Sequence, residues 1–432
     1  MVKLKKENSD NFILPRFRKL GDQYLITSDG GHWTFSKTPK INNINNNDPA
    51  CTQYQRKYKH LFQGTALHII VLTLRCNLKC SYCHASVLPT EKQGKDIDEV
   101  TLKKTIDFIF QSPADKITIE FQGGEPLLRF DLIKKAIDYA LSKKGKEVRF
   151  ALVTNLLLMD DEKLDYLISK KVGICTSLDG PKEVHDQNRG CYDLLTKKID
   201  LVKNKTQLNA LMVTTKHSLG KHKEIIDEYV LFGLDKIQIK PLNQLGFAKG
   251  RQDLSITSEE FIDFWQKSIK YIMELNSKGV NIKETMTEVI LNKIKGFVSD
   301  EIYLDLLSPC GAAIGQLAYN YNGNIYSCDE ARMLNDDLFL LGNVNKNNYK
   351  EILTSDKCCA LIASSINDTH FCDLCAYKPY CGLCPVCSYA DTNNVIPHLP
   401  DFRCTVHKAM FDFIFKNFSS LNDSHDSHGG HD

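Results

Sequence analysis

The chain has 432 residues, 42% hydrophobic and 25% charged, which is globular composition with length enough for two or three domains. Its 55 basic and 53 acidic residues leave a net charge of +2, so no broad positive field draws it to nucleic acid or anionic lipid. Apolar runs such as LHIIVLTL fall short of the roughly 18 residues of a membrane span, and MVKLKKENSD lacks the apolar core of a secretory signal. A cytoplasmic protein is expected, with neither nucleic acid nor membrane as partner.

Residues 1–60 read as a small strand-rich module, with QYLITSDGGHWTFS turning at a Gly-Gly step, followed by the polar linker INNINNNDPA. From residue 61 to 250 apolar runs recur between turn residues: HIIVLTL, ITIEF, VRFALV, VGICTSL, NALMVT and KIQIK. Helical spacing lies between them, as in Leu102, Ile106, Ile109 and in Ile133, Ile137, Leu141. Strands alternating with helices predict a parallel sheet buried on both faces, either doubly wound or closed into a partial barrel. Residues 251–305 are expected to be a helical connector, with Phe261, Ile262, Trp265, Ile269, Ile272 and Met273 as its core stripe. A cysteine-dense domain spans 306–410, and 411–432 holds the end of a helix and a solvated tail with three histidines.

A reducing cytosol disfavours disulfides, so the 16 cysteines point to metal. Three sit together in LRCNLKCSYCHAS as Cys76, Cys80 and Cys83, directly after the first apolar run. Three thiolates on one short loop can hold three irons of a 4Fe-4S cluster and leave the fourth iron open to a substrate. A structural zinc site would need a fourth ligand, for which His84 is the neighbour at hand. With Tyr82 ahead of its last cysteine, the loop resembles the signature of the radical S-adenosylmethionine (SAM) superfamily. That resemblance implies an open iron chelating SAM, and one-electron cleavage to methionine and a 5'-deoxyadenosyl radical.

Gly123-Gly124-Glu125-Pro126 follows the second strand, and its glycines allow close backbone approach to a ligand. In the family this motif meets the methionyl amino group; read alone, it is an ordinary turn. The stretch SLDGPKEVHDQNRG after the fourth strand resembles the radical SAM peptide maturases and offers Ser177 and Asp179 for the cofactor's polar groups, with a capped turn as the plain alternative. Arg189 and Lys240 are further sources of positive charge for its carboxylate.

Ten cysteines fall between Cys310 and Cys404. Cys310-x12-Gly323-x4-Cys328, then Cys372-x2-Cys375-x5-Cys381, then Cys384, Cys387 and Cys404 resemble the SPASM domain, which implies two auxiliary 4Fe-4S clusters and three clusters in all. By that analogy Cys372, Cys375, Cys381 and Cys404 hold the outer cluster. Cys310 and Cys328, with Cys384, Cys387 or both, hold the inner one. The pattern departs from the family here, because its C-x3-C step is replaced by Cys381-x2-Cys384-x2-Cys387. Paired C-x2-C steps also make zinc ribbons. Cys358 and Cys359 fit no ligand slot.

Asp329 follows Cys328 directly, and this Cys-Asp step resembles the sulfatase-type maturases, in which the Asp takes a proton from the substrate. A carboxylate shielded from water makes a competent base near neutral pH. The alternative is an Asp that only orients the ligand loop. The resemblance spans 67–405, and FRKLGDQYLITSDGGHW, SPCGAAIGQLAYNYNGNIYSCDEARML and CGLCPV are similar in texture to the His-Xaa-Ser system maturases.

The expected architecture is α/β: a partial, TIM-like (β/α)6 barrel, a C-terminal SPASM domain and a small N-terminal strand module. The expected function is a radical SAM maturase that abstracts hydrogen from a ribosomally made precursor peptide or protein, with flavodoxin or ferredoxin as electron donor. Alternatives are a sulfatase-type maturase forming formylglycine and a non-catalytic iron-sulfur or zinc scaffold.

Overall fold

The computed structural model describes residues 16–39, 61, 63–296 and 306–426. The polar linker at 41–50 and the final residues 427–432 of the histidine-bearing tail lie outside them. At the N-terminus β1 (Arg16–Leu20), β2 (Gln23–Thr27) and β3 (Trp33–Ser36) form an antiparallel meander. It sits against the cysteine-rich region: Thr27 Oγ1 donates to the Ala376 carbonyl at 2.7 Å and Tyr380 OH to that of Gly31 at 2.6 Å. Trp33 meets Phe415 and Phe418 edge-on, with centroids 5.4 and 5.0 Å away.

The apolar runs form β4 (Leu67–Thr73), then, beyond the short pair β5 (Arg75–Cys76) and β6 (Leu88–Pro89), β7 (Lys116–Gly123), β8 (Glu147–Val153), β9 (Val172–Ser177), β10 (Leu208–Thr214) and β11 (Lys236–Pro241). They pair in parallel in chain order, β4-β7-β8-β9-β10-β11. A doubly wound sheet would reverse its order part-way, so this is the partial barrel. Helices Glu99–Ile109, Phe130–Ser142, Asp161–Ser169, Tyr192–Lys203 and His222–Leu231 follow successive strands. The first starts where the Asp98 side chain accepts from Thr101 N, and it buries Leu102, Ile106 and Ile109. In the second Ala140 is buried and Leu141 is 52% exposed, because the helical repeat returns to the core face seven residues after Ile133 rather than eight.

The connector is not wholly helical. Helix Ser258–Ser277 stops before Gly279, at φ +90°, and β12 (Lys283–Glu284) joins the sheet beside β11 before helix Thr285–Lys295 begins. At the opposite edge β13 (Gln316–Tyr319) pairs in parallel with β4, followed by antiparallel β14 (Asn324–Tyr326) and β15 (Leu340–Asn343). Ten strands thus form one sheet, and the cysteine-rich region supplies one edge of it. Among the described residues no helix is long and apolar enough to cross a membrane.

Candidate active site and cysteine groups

The cysteine loop leaves the C-terminal end of β4, the end at which parallel α/β barrels build their sites. Its start is fixed by Thr73 Oγ1 donating to Asp96 at 2.7 Å and by an Arg75–Asp96 ion pair at 2.6 Å. Cys76 Sγ accepts from Leu78 N at 3.4 Å, and Asn155 Nδ2 lies 3.8 Å from the same sulfur. Burial pushes the Cys76 thiol up to about 12 and Cys80 to about 11, and the charges of neighbouring cysteines add to both effects. Buried thiols whose anions repel one another suit a cationic core, since metal ligands must be deprotonated. Among the described residues no three His, Cys, Asp or Glu side chains converge tightly enough to hold a single ion.

The Gly-Gly-Glu-Pro motif packs against this loop. A Cβ on Gly123 would come within 2.2 Å of the Thr73 carbonyl oxygen, and one on Gly124 within 2.2 Å of that of Arg75. Gly124 N and Glu125 N donate to those same two carbonyls at 2.7 and 2.8 Å. The close approach that the glycines allow is therefore to the chain's own loop. Glu125 is fully buried: Oε1 accepts from Leu127 N and Thr154 Oγ1, and Oε2 accepts from Asn155 N at 2.9 Å. Burial raises its pKa to about 7 in spite of these three donors. Pro126 opens the short 3-10 turn that Glu125 caps.

Ser177 ends β9, half-buried. Asp179, by contrast, is fully enclosed. Its Oδ2 accepts from Tyr82 OH at 2.6 Å, Asn188 Nδ2 at 3.1 Å and Arg189 Nε at 3.1 Å, and Oδ1 accepts from Val213 N at 3.2 Å. Both oxygens face protein donors rather than an open mouth.

The interior of the barrel also holds Glu120, Gln122 and Cys175, which sequence reasoning passed over. Glu120 sits opposite Ile69 and Ala151 in register, and Gln122 Nε2 donates to its Oε1 at 2.6 Å. Burial raises the Glu120 carboxyl, the Gln122 hydrogen bond lowers it, and Asp329 and Lys240 are close enough to act on it with opposite sign. Cys175 shares this interior with Glu120, Lys240 and Arg189, and burial raises its thiol to about 12. Burial depresses His84 to about 4, and its Nε2 has no hydrogen-bond partner among the described residues. The available signal was period two on β7, where Glu120 and Gln122 alternate with the apolar Ile119 and Phe121.

The C-terminal cysteines gather into two groups. Cys372, Cys375, Cys381 and Cys404 line one pocket with Cys384, Arg403 and Lys408. Cys328 is raised first by burial and then by Glu330, Cys384 and Cys310, which brings Cys310, Cys328 and Cys384 together. Cys387 joins them, its S–H bonded to Cys384, which lowers Cys384 and raises Cys387. Cys328 caps helix Asp329–Leu334 and Cys384 caps helix Pro385–Thr392, so each sulfur faces backbone N–H groups that favour a thiolate. Asp329 Oδ1 accepts from Arg332 Nη2 at 2.7 Å and Nε at 3.0 Å; its holding partner is a buried guanidinium rather than backbone amides.

A model of the radical SAM superfamily matches residues 70–239, and one of the iron-sulfur cluster-binding SPASM domain matches residues 310–388. The chain carries a radical SAM domain followed by a SPASM domain. A cysteine-type anaerobic sulfatase-maturating enzyme of Clostridium perfringens is 26% identical over 363 residues, covering 79% of this chain and 93% of the relative. Native anSMEcpe with bound AdoMet superposes with a TM-score of 0.72 at 21% identity, over 84% of this chain and 99% of that one. Streptococcus suis SuiB bound to precursor peptide SuiA gives 0.60 at 13% identity, over 90% and 99%. These likenesses establish the shared fold. This radical SAM enzyme accordingly uses SAM and iron-sulfur chemistry, with a SPASM domain continuous with its barrel sheet.

Proposed function

We propose that this radical SAM enzyme matures a ribosomally made peptide or protein in the cytoplasm. The observation that carries the reading is three separate thiol groups on one scaffold: Cys76, Cys80 and Cys83 at the barrel mouth, and two groups of four in the SPASM region. The first would hold the SAM-binding cluster and the other two the auxiliary clusters, with both Cys384 and Cys387 completing the inner set. Bound there, the cluster and SAM supply a 5'-deoxyadenosyl radical able to take a hydrogen atom.

The chain's own residues do the positioning. The Gly123–Gly124 backbone and Glu125 shape the wall on which the methionyl amino group would lie, and Ser177 offers a hydroxyl at the end of β9, two strands along the sheet. The polar interior lined by Glu120, Gln122, Cys175 and Lys240 would receive the substrate segment, and Asp329 faces it as the base. Flavodoxin or ferredoxin would deliver electrons. Within this reading, the Cys328-Asp329 step and the sulfatase-maturase relative favour formylglycine formation, whereas the texture shared with the His-Xaa-Ser system favours a small precursor peptide.

The test is anaerobic reconstitution followed by reduction with SAM. 5'-Deoxyadenosine is expected without peptide, and a mass shift in a small peptide encoded beside the gene, or in a sulfatase-type Cys or Ser motif, identifies the substrate class. Stoichiometric zinc with no sulfide would sink the reading.

A further inference from the structure

The segment that follows β9 grips the cysteine loop at several points. Ser81 N and Ser81 Oγ both donate to the Asn188 carbonyl, at 2.8 and 3.0 Å. Tyr82, which lies between Cys80 and Cys83, donates its hydroxyl to Asp179, and the Arg189 guanidinium carbon stands 5.0 Å from the centre of its ring. Arg189 in turn binds Asp179 at 3.1 Å, with side-chain exposures of 14% and 0% for the pair. Asn188 is fixed from behind, its Oδ1 receiving Thr215 Oγ1 at 3.1 Å and standing 3.0 Å from His217 Nδ1.

We infer that Asp179 and Arg189 form a charge-balanced positioning pair for the cysteine loop, holding Tyr82 in place and setting the electrostatic field at the neighbouring sulfurs, so that Asp179 acts on the cluster through protein groups rather than by touching SAM. Two separate observations support this. The donors that reach the enclosed Asp179 carboxylate are Tyr82, Asn188, Arg189 and Val213; Tyr82 belongs to the cysteine loop itself and Arg189 packs over its ring. Arg189 and Asp179 both border Tyr82, the residue between Cys80 and Cys83, so two charges of opposite sign stand beside the ligand loop. At short range and away from water such charges are weakly screened. Removing the carboxylate alone leaves an uncompensated cation beside the cluster and favours its reduced, more negative state. Removing the guanidinium alone does the reverse. The inference rests on Cys76, Cys80 and Cys83 being cluster ligands.

The experiment is an EPR-monitored redox titration of the full-length, reconstituted protein, following the signal that changes when SAM is added. Asp179→Asn is expected to move the SAM-free midpoint to more positive potential and Arg189→Gln to more negative potential. The double variant should return close to the unsubstituted protein, and Tyr82→Phe, which keeps both charges, should leave the midpoint in place. If Asp179→Asn does not retain iron, the double variant is expected to recover it, since neither charge is then buried alone. Unmoved midpoints in both single variants, together with a tenfold or greater loss of SAM affinity in Asp179→Asn, would make Asp179 a direct cofactor ligand and overturn the inference. Shifts of the same sign in both single variants, or a double variant that stays iron-free, would overturn it too. A failure of the cluster reading itself looks different: the unsubstituted protein would then show no SAM-responsive signal.

Discussion

His68 on β4 and Tyr319 on β13 share a hydrogen bond of 2.9 Å across the seam where the SPASM region joins the barrel sheet. His68 Nε2 lies 3.0 Å from the Thr65 carbonyl, so the proton belongs on Nε2, and Nδ1 accepts from the tyrosine. Tyr319→Phe leaves that buried nitrogen without a donor and is expected to cost about 1–3 kcal/mol in denaturant unfolding.

Burial depresses His68 from 6.5 to about 3. A depressed histidine contributes stability above the unfolded pKa and loses it as the ring is forced to charge, so this seam should weaken steadily as pH falls from about 6.5 toward about 3. Thermal melts across that window check it, and His68→Gln should flatten the dependence.

Glu125 has the opposite sign. Its pKa is raised from 4.5 to about 7, so its contribution is complete below the unfolded value and declines as pH rises through about 7. Glu125→Gln turns an amide toward Asn155 N and is expected to destabilise by about 1–3 kcal/mol. The deficit should be greatest at the acid end and narrow above neutrality, as read from paired melts.

The three thiol groups predict iron content directly. Roughly 12 irons are expected in the intact enzyme, and replacing Cys76, Cys80 and Cys83 with Ala should leave about eight while abolishing 5'-deoxyadenosine formation. Because Cys384 and Cys387 both stand with Cys328 and Cys310, Cys384→Ala and Cys387→Ala should each disturb the inner cluster and spare the outer one. Mössbauer spectra with iron and sulfide analysis distinguish the sets.

Asp329→Asn retains an oxygen for Arg332 and removes the base. The variant is expected to keep its iron and its cofactor cleavage while losing modified product, as measured by peptide mass spectrometry. Normal product formation would leave Asp329 only the task of holding Arg332.

The sequence by itself carried the sheet and the chemistry. Six apolar runs bounded by turn residues are local signals, and they became β4 and β7 to β11 within about two residues at most ends. The cysteine spacing around Tyr82 is likewise local, because three ligands of one cluster must lie within reach of a single short loop. What only the tertiary structure decided depends on partners remote in the chain. Nothing in QLAY predicts that it would pair with β4 some 250 residues earlier, since a four-residue strand gains its stability from its neighbours. Cys387 joins Cys310 and Cys328 because two helix starts converge there, a placement that the changed spacing left open. Asp179 looked like a residue at a barrel mouth, yet the chain folds Tyr82, Asn188, Arg189 and Val213 around it. A buried carboxylate has to be satisfied by whichever donors the fold delivers, and those come from segments that no sequence window contains.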